Sequence, residues 1–116
     1  MIEGLRPEDH VLLLSIPDPA FVRDLAARVP RGIVVVLGER DEIVEARRAA
    51  ADLDNVMFVP ATPDEIPWRD GFFTFVIDLS GGWSDPDRVS REVQRVLAPE
   101  GRLYRSDAVS GQSKKS

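Results

Sequence analysis

The sequence predicts one α/β domain in which about five mainly parallel strands alternate with helices that cover both faces of the sheet. Two observations carry this prediction. Short apolar runs such as Val11–Leu14 and Ile33–Leu37 have the length of strands and the composition of strands buried on both faces. Between such runs, apolar residues recur at the helical period, so strands and helices alternate along the chain.

The first strand is predicted over Val11–Ile16 and leads into a helix. Asp18 is suited to cap that helix, and Pro19 to its first turn, because a proline there lacks only an N–H that the helix leaves unused. The apolar residues of the helix fall on one face, which contains Phe21, Val22, Leu25, Ala26 and Val29.

The middle of the chain contains three further strands. Ile33–Leu37 is followed by a helix over about Asp41–Asp52, and Asn55–Val59 is followed by the segment PATPDEIPWRDG. The prolines of that segment predict a shaped loop with at most one helical turn. The fourth strand is predicted over Phe72–Leu79, where Gly81 and Gly82 break it.

The end of the chain repeats the pattern of the start. Asp85-Pro86 begins a third long helix, and Pro99-Glu100-Gly101 turns the chain into a fifth strand over Arg102–Ser106. We expect residues 1–107 to form the domain and the polar residues 108–116 to be a disordered tail.

Composition excludes several kinds of site. The formal net charge of −5 argues against a nucleic-acid partner held by bulk electrostatics. With no cysteine and one histidine, the chain offers no thiolate nucleophile, no metal cluster and no ordinary Ser/His pair. Its only lysines are Lys114 and Lys115, which leaves none in the folded part for a phosphate-binding loop or a Schiff base.

No apolar run is long enough to span a membrane, and the start MIEGLRPEDH lacks the basic region and apolar core of a signal peptide. We therefore expect a cytoplasmic protein without a membrane partner.

Four short motifs in the second half of the chain share the order and spacing of motifs in a known family. They are Ile66-Pro67-Trp68, Phe73-Thr74-Phe75-Val76, Asp85-Pro86 and Arg95-Val96-Leu97-Ala98-Pro99-Glu100-Gly101. Together they resemble class I S-adenosylmethionine-dependent methyltransferases of the small-molecule type, over about residues 11–107. The resemblance implies a Rossmann-like, doubly wound sheet of order 3-2-1-4-5 that lacks the family's last two strands, and S-adenosylmethionine as cofactor.

The loop after the first strand departs from that family. There the family has an acidic residue and then a glycine-rich turn, because glycine lets the backbone approach the cofactor closely. Here Leu13 stands at the acidic position, and Ser15, Pro17 and Pro19 stand at the glycine positions. Asp18 adds a negative charge that we expect to cap the helix. Ser15 and Asp18 are the candidate contacts that remain, and we expect no cofactor binding in the family's manner.

The next two positions that contact the cofactor in the family carry residues less suited to that contact here. The resemblance implies an acidic residue after the second strand that binds the ribose hydroxyls, and Glu39 is the candidate, with Leu37 the alternative register. Glu39 could equally be a solvated charge at a helix start. After the third strand, Thr62 or Ala61 stands at the position of the acid that contacts adenine, although Thr62 precedes a proline and suits a local cap.

The most ligand-like segment follows the fourth strand, at the carboxyl edge where open α/β sheets bind ligands. Its candidate contacts are Asp78, Ser80, Gly81 and Trp83. Glycine would allow close backbone approach, and the indole could cover a flat ring. The alternative is a turn that ends the strand, with the tryptophan packed on the proline-rich loop.

Other polar residues have simpler interpretations. His10 is interpreted as a surface histidine, and Trp68 as a structural aromatic packed against the sheet. Arg88, Arg91 and Arg95 recur at helical spacing and are interpreted as a solvated face.

The fifth strand would be an edge of the sheet. Arg102 and Arg105 flank Leu103 and Tyr104 and would protect that edge from pairing. The alternative is that the edge pairs with a second subunit or a partner protein.

The sequence thus predicts a degenerate methyltransferase-like domain without independent transfer activity, acting as a ligand-binding or interaction module. The alternative is an S-adenosylmethionine-dependent methyltransferase acting on a small molecule, and neither hypothesis requires a metal.

Overall fold

A computed structural model describes residues 4–79, 83 and 85–105. Within them lie five strands and three helices. The strands are β1 (His10–Leu13), β2 (Ile33–Gly38), β3 (Val56–Pro60), β4 (Phe73–Asp78) and β5 (Leu97–Arg105); the helices are α1 (Pro19–Arg28), α2 (Arg40–Ala49) and α3 (Pro86–Val96). Every strand pair is parallel, and the order is β3-β2-β1-β4-β5. The predicted fold class and strand order are confirmed.

The core consists of two apolar clusters, one on each face of the sheet. Adjacent residues of β1 point to opposite faces, so Leu13 packs with α1 and α2 while Leu12 packs with α3. Both leucines are fully buried, as are Val34 to Leu37 in β2. Burial on both faces explains why the sequences of these strands are continuous apolar runs.

Both predicted helix starts are confirmed. The Asp18 carboxylate accepts a hydrogen bond from the Ala20 N–H at 2.9 Å, and the Asp85 carboxylate accepts one from the Arg88 N–H at 3.2 Å. In each helix the proline occupies the first turn, where its missing N–H costs no intrahelical bond.

Two strand boundaries differ from prediction by more than one residue. Regular pairing of β1 ends at Leu13, before the prolines begin to constrain the backbone. In contrast, β5 begins at Leu97, which pairs with Phe73. The next pair joins Arg102 of β5 to Phe75 of β4, so β5 uses more residues than β4 between the two pairs. The predicted turn at residues 99–101 is therefore a bulge within the strand pairing. Ser106 and the predicted tail lie outside the described residues.

Candidate functional site

The predicted cofactor positions follow the carboxyl ends of β1, β2, β3 and β4, which meet at one edge of the sheet because the strands are parallel. A hydrogen bond from the Ala61 N–H to the Gly38 carbonyl, at 3.2 Å, joins the ends of β2 and β3. Glu39 follows Gly38 in the chain, and Thr62 follows Ala61, so both predicted contacts lie next to this bond. The fold thus gathers residues that are far apart in the chain.

The first turn of α1, which follows the loop after β1, uses its polar groups internally. Pro19 has no N–H, the Ala20 N–H is bonded to the Asp18 carboxylate, and the N–H groups of Phe21 and Val22 donate to the Asp18 carbonyl at 2.9 and 3.3 Å. The first turn of α1 therefore presents no free amide. A helix N-terminus binds an anion through such amides, so this one has little to offer a carboxylate or phosphate.

Ile16 occupies space beside the end of β2. A Cβ added at Gly38 would lie 2.6 Å from the Ile16 Cδ1 atom, so the Ile16 side chain lies directly against the Gly38 backbone. Ile16 also packs against the apolar cluster beneath α1 and α2. An isoleucine side chain thus fills the place between the first loop and β2.

Glu39 keeps its side chain available. It is the N-cap residue of α2, yet its side chain makes no capping hydrogen bond, and it is exposed. It has no partner among the described residues. Its backbone carbonyl accepts the first helical bond, from the Ile43 N–H at 2.8 Å. Glu39 is therefore placed and free to accept hydrogen bonds from a ligand.

Thr62 acts within its own turn. Its hydroxyl donates to the Asp64 carboxylate at 2.5 Å, and its carbonyl accepts from the Glu65 N–H at 3.1 Å. This geometry agrees with the local-cap interpretation of the sequence.

Asp78, at the end of β4, is the buried acid of this edge, with 3% of its surface exposed. The Trp83 indole N–H donates to its carboxylate at 3.2 Å, and the Arg105 Nε lies 3.6 Å from the same oxygen. Arg105 remains half exposed. The predicted pair Asp78 and Trp83 is therefore brought together, with a cation that the sequence did not assign to it. Ser80 and Gly81 lie outside the described residues.

Two arginines interpreted as a solvated face in fact hold a distant loop. Arg95 donates through its guanidinium to the carbonyls of Ile66 and Trp68, at 2.7 and 2.8 Å, and to the carboxylates of Asp70 and Glu92. Glu92 in turn accepts from the Ile66 N–H at 2.9 Å. These contacts fix the proline-rich loop between β3 and β4 against α3.

Arg88 adds a further bond to that loop, from its Nε to the Asp64 carbonyl at 3.1 Å. The hydrogen bond from Arg95 lowers the pKa of the Glu92 carboxyl below its ordinary value, although partial burial opposes this effect. Helical spacing alone did not reveal the role of these arginines. The signal that could have done so is the proline-rich loop itself, whose backbone needs partners.

His10 is more enclosed than the surface position predicted for it. Its Nδ1 lies 3.0 Å from the Phe72 carbonyl, and its ring stacks on the Phe72 ring with centroids 4.5 Å apart. Trp68 packs against Phe72 and Phe73, which agrees with its structural interpretation. Both residues serve packing at the start of β1 and β4.

A groove of about 780 Å³ lies between α1 and α2, and Ser15 is the one predicted contact among its lining residues. Its floor is apolar, and one rim carries three acidic residues of α2. The lining residues are Ser15, Ile16, Pro17, Pro19, Val22, Asp41, Glu42, Glu45, Ala46, Ala49, Ala50 and Phe58.

Within the described ranges, no three acidic, histidine or cysteine side chains are grouped so that they could hold a metal ion. The same part of the chain contains no helix long and apolar enough to cross a membrane.

Comparison with known proteins identifies similar sequences and folds. The model of a family described as a Methyltransferase domain matches residues 19–105. The solved structure of the YcgJ protein from Bacillus subtilis is 25% identical, with a TM-score of 0.73 over 84% of this chain and 43% of that one.

Two further structures show the fold. A SAM dependent methyltransferase from Aquifex aeolicus is 22% identical, with a TM-score of 0.75 over 86% of this chain and 56% of that one. The cyclase SpnF is 22% identical, with a TM-score of 0.77 over 85% of this chain and 38% of that one. The chain thus spans roughly half or less of the length of these structures.

The residues present do not fit S-adenosylmethionine in the first loop. The first turn of α1 has no amide left for the cofactor's carboxylate, and Ile16 fills the space beside Gly38. Of the predicted contacts within the described ranges, Glu39 retains a free carboxylate for the ribose. The disagreement covers the first loop, where the sequence also departs from the related pattern, and Thr62, whose hydroxyl is bonded to Asp64.

Proposed function

Because the chain belongs to the Methyltransferase domain family, we propose that it is a member that does not transfer methyl groups on its own and acts as a ligand-binding or interaction module in the cytoplasm. The observation that carries the proposal is the closure of the loop between β1 and α1 by Asp18, Pro19 and Ile16. A family fold does not by itself establish a reaction, since function depends on the residues of the site.

The electrostatics of the loop support the same conclusion. Asp18 places a carboxylate at the positive end of the α1 dipole, where it competes with any ligand carboxylate for the same favourable field. To bind there, a ligand would have to displace a cap that stabilises the helix by about 1 kcal/mol.

A working methyltransferase is the second candidate, and the free side chain of Glu39 favours it. In that case Glu39 would hold the cofactor ribose and the loop after β4 would position the acceptor. When bound, the cofactor supplies an electrophilic methyl group, and the protein contributes mainly alignment. Asp78 would then orient Trp83 from its buried position.

The discriminating experiment is a thermal melt with and without millimolar S-adenosylmethionine and S-adenosylhomocysteine. The proposal predicts no shift. A ligand present at a hundred times its dissociation constant stabilises the native state by about 2.7 kcal/mol, which in a domain of this size raises the melting temperature by roughly ten degrees or more. A shift of several degrees that is lost in Glu39→Ala, but kept in the neighbouring Glu42→Ala, would establish the second candidate instead.

A loop variant sharpens the test. If closure of the loop prevents cofactor binding, Ile16→Gly combined with Pro17→Gly removes the side chain beside Gly38 and restores a backbone N–H. The variant will be less stable than the parent, so its melting temperature is compared only with and without ligand. A ligand-dependent rise in this variant but not in the parent assigns the loss of binding to the loop. No rise in either places the defect elsewhere in the site.

We also propose that the interaction role uses the outer edge of β5, through a second copy of this chain or another protein. The two edges of the sheet differ. At β3, the Arg47 guanidinium donates to the Phe58 carbonyl at 2.8 Å, which occupies a backbone group of that edge. No described element pairs with the outer side of β5, and its exposed Glu100, Arg102 and Arg105 allow opposite charges to meet in an antiparallel pair.

Sedimentation of the purified chain tests this edge. We expect a dimer that Arg102→Glu weakens, because Glu100 of one copy would then face another acid. Arg91→Glu, on the exposed side of α3, makes the same charge change away from the edge and should leave the dimer intact. A monomer at all concentrations would reject self-association through β5.

A further inference from the structure

A hydrogen-bonded bridge joins α1 and α2 beside the groove. The Arg23 guanidinium of α1 reaches across to the end of α2, where it donates to the Ala49 carbonyl at 3.1 Å and to the Asp52 carboxylate at 2.7 and 2.9 Å. Ala49 itself lines the groove, so this bridge holds the two helices together next to it. Residues of the loop 15–19 also line the groove.

The groove exists because α2 turns small side chains toward α1. Ala46, Ala49 and Ala50 recur at helical spacing on this face, and larger residues there would fill the space between the helices. Val22 and Phe58 complete an apolar floor continuous with the buried core. Its volume of about 780 Å³ lies within the range of small-molecule sites.

The charge of the rim is one-sided. Asp41, Glu42 and Glu45 all lie on the rim and are exposed. Asp41 and Glu42 have no ion-pair partner among the described residues, and Glu45 has only Arg48, at 3.4 Å between two largely exposed side chains. The dipole of α2 favours acids in the first turn, which accounts for Asp41 and Glu42 but not for Glu45, one turn further on.

Among the residues that the structure describes, no cationic side chain lines the groove. Arg23, beside the groove, is engaged by Asp52, and the hydrogen bond between them raises the pKa of the guanidinium. An anionic ligand would therefore meet only negative charge at the rim. A cation would be attracted by three carboxylates, while its apolar part could cover the alanines and Phe58.

From this geometry we propose that the groove between α1 and α2 binds a small organic cation, with its apolar body on the floor and its ammonium group at the acidic rim. This inference rests on the proposed ligand-binding role and names its site and ligand class. A basic peptide is a different occupant, disfavoured because the groove has the volume of a small-molecule site.

The test uses three probes of equal chain length, octylammonium chloride, octanol and sodium octanoate, titrated into isotopically labelled protein and followed by amide NMR. We expect octylammonium to shift the signals of Ser15, Val22 and Ala49 and to bind about tenfold more tightly than octanol, with octanoate weakest. Three exposed charge contacts account for a difference of this size. The preference should shrink at high salt because exposed charges are screened.

Two variants separate charge from shape. Replacing the rim acids together, by Asp41→Asn, Glu42→Gln and Glu45→Gln, should weaken octylammonium about tenfold and leave octanol unchanged. The matched control removes three exposed acids elsewhere, by Asp54→Asn, Glu65→Gln and Asp87→Asn, and should change neither. Ala49→Leu keeps a strong helix former and fills the groove, so it should weaken octylammonium and octanol alike.

Equal binding of octylammonium and octanol would overturn the proposal. So would the absence of any signal change along the groove up to about 10 mM octylammonium, roughly ten-thousandfold above a micromolar dissociation constant. So would tighter octylammonium binding after Lys114→Gln with Lys115→Gln, which would identify the chain's own lysines as the occupant. The comparison among probes needs only the parent protein, so a variant that fails to fold does not decide the result. Titration of S-adenosylmethionine into the same sample reports separately on the proposed function, through the signals of Gly38 and Glu39, which do not line the groove.

Discussion

Two proline-containing loops of this domain are held in place by different means. The first loop, residues 14–18 between β1 and α1, is closed by residues within it and in the first turn of the next helix. The second loop, residues 61–72 between β3 and β4, is held by Arg88, Glu92 and Arg95 of α3. Local closure can be predicted from neighbouring residues, whereas closure by a distant helix can be recognised only when the fold brings the two together.

The largest effect is expected from the distant closure. Arg95→Met keeps most of the side-chain length but removes five hydrogen bonds, two of them to loop carbonyls and two to Glu92. We expect a loss of about 2 kcal/mol in the free energy of unfolding, because partly buried acceptors lose their donors while solvent replaces some of the bonds. Denaturant unfolding measures it.

Arg91→Met is the matched control for that substitution. Arg91 is exposed and makes no interaction among the described residues, so its replacement should change stability by less than about 0.5 kcal/mol. Equal effects of the two substitutions would show that the second loop does not depend on Arg95.

The local closures should have smaller and similar effects. Asp18→Ala and Asp85→Ala each remove a side-chain cap, and each is expected to cost about 1 kcal/mol in unfolding free energy. Asparagine caps almost as well as aspartate, so Asp18→Asn and Asp85→Asn should cost far less. If Asp18→Ala cost much more than Asp85→Ala, the first loop would depend on Asp18 for more than a helix cap.

The smallest effect is a pH dependence that distinguishes the second loop from the first. The folded protein holds the pKa of Glu92 below its ordinary value of 4.5, chiefly through the hydrogen bond from Arg95. A lowered folded pKa contributes stability above the unfolded pKa, and this contribution is lost as the pH falls below about that value. Unfolding curves at pH 6 and pH 3 should therefore differ less in Glu92→Gln than in the parent. An unchanged difference would contradict this role for Glu92.

Much of the site could be read from the chain because its signals are local. The Asp-Pro pairs identified both capped helix starts, and the absence of glycine from VLLLSIPDPAF indicated an altered first loop. Thr62 beside Pro63 likewise indicated a local cap. Such signals involve bonds between residues a few positions apart, whose geometry the backbone largely dictates.

Other features could not be found this way. Nothing in the spacing of Arg88 and Arg95 indicates that they bond to a loop more than twenty residues away, and nothing near Asp78 indicates Arg105 as its neighbour. Ile16 read as the last residue of a strand, but it lies against Gly38 of the next strand. The groove depends on the distance between two helices, which neither helix specifies alone.

The sequence by itself determined the elements, their order, the parallel sheet and the loss of glycine from the first loop, because apolar periodicity, proline and capping residues act over a few positions. The tertiary structure alone decided which side chains meet: Ile16 with Gly38, Arg95 with the second loop, and the acidic rim with the apolar floor of the groove. The physical reason is that packing across a sheet joins residues whose separation along the chain carries no local signal.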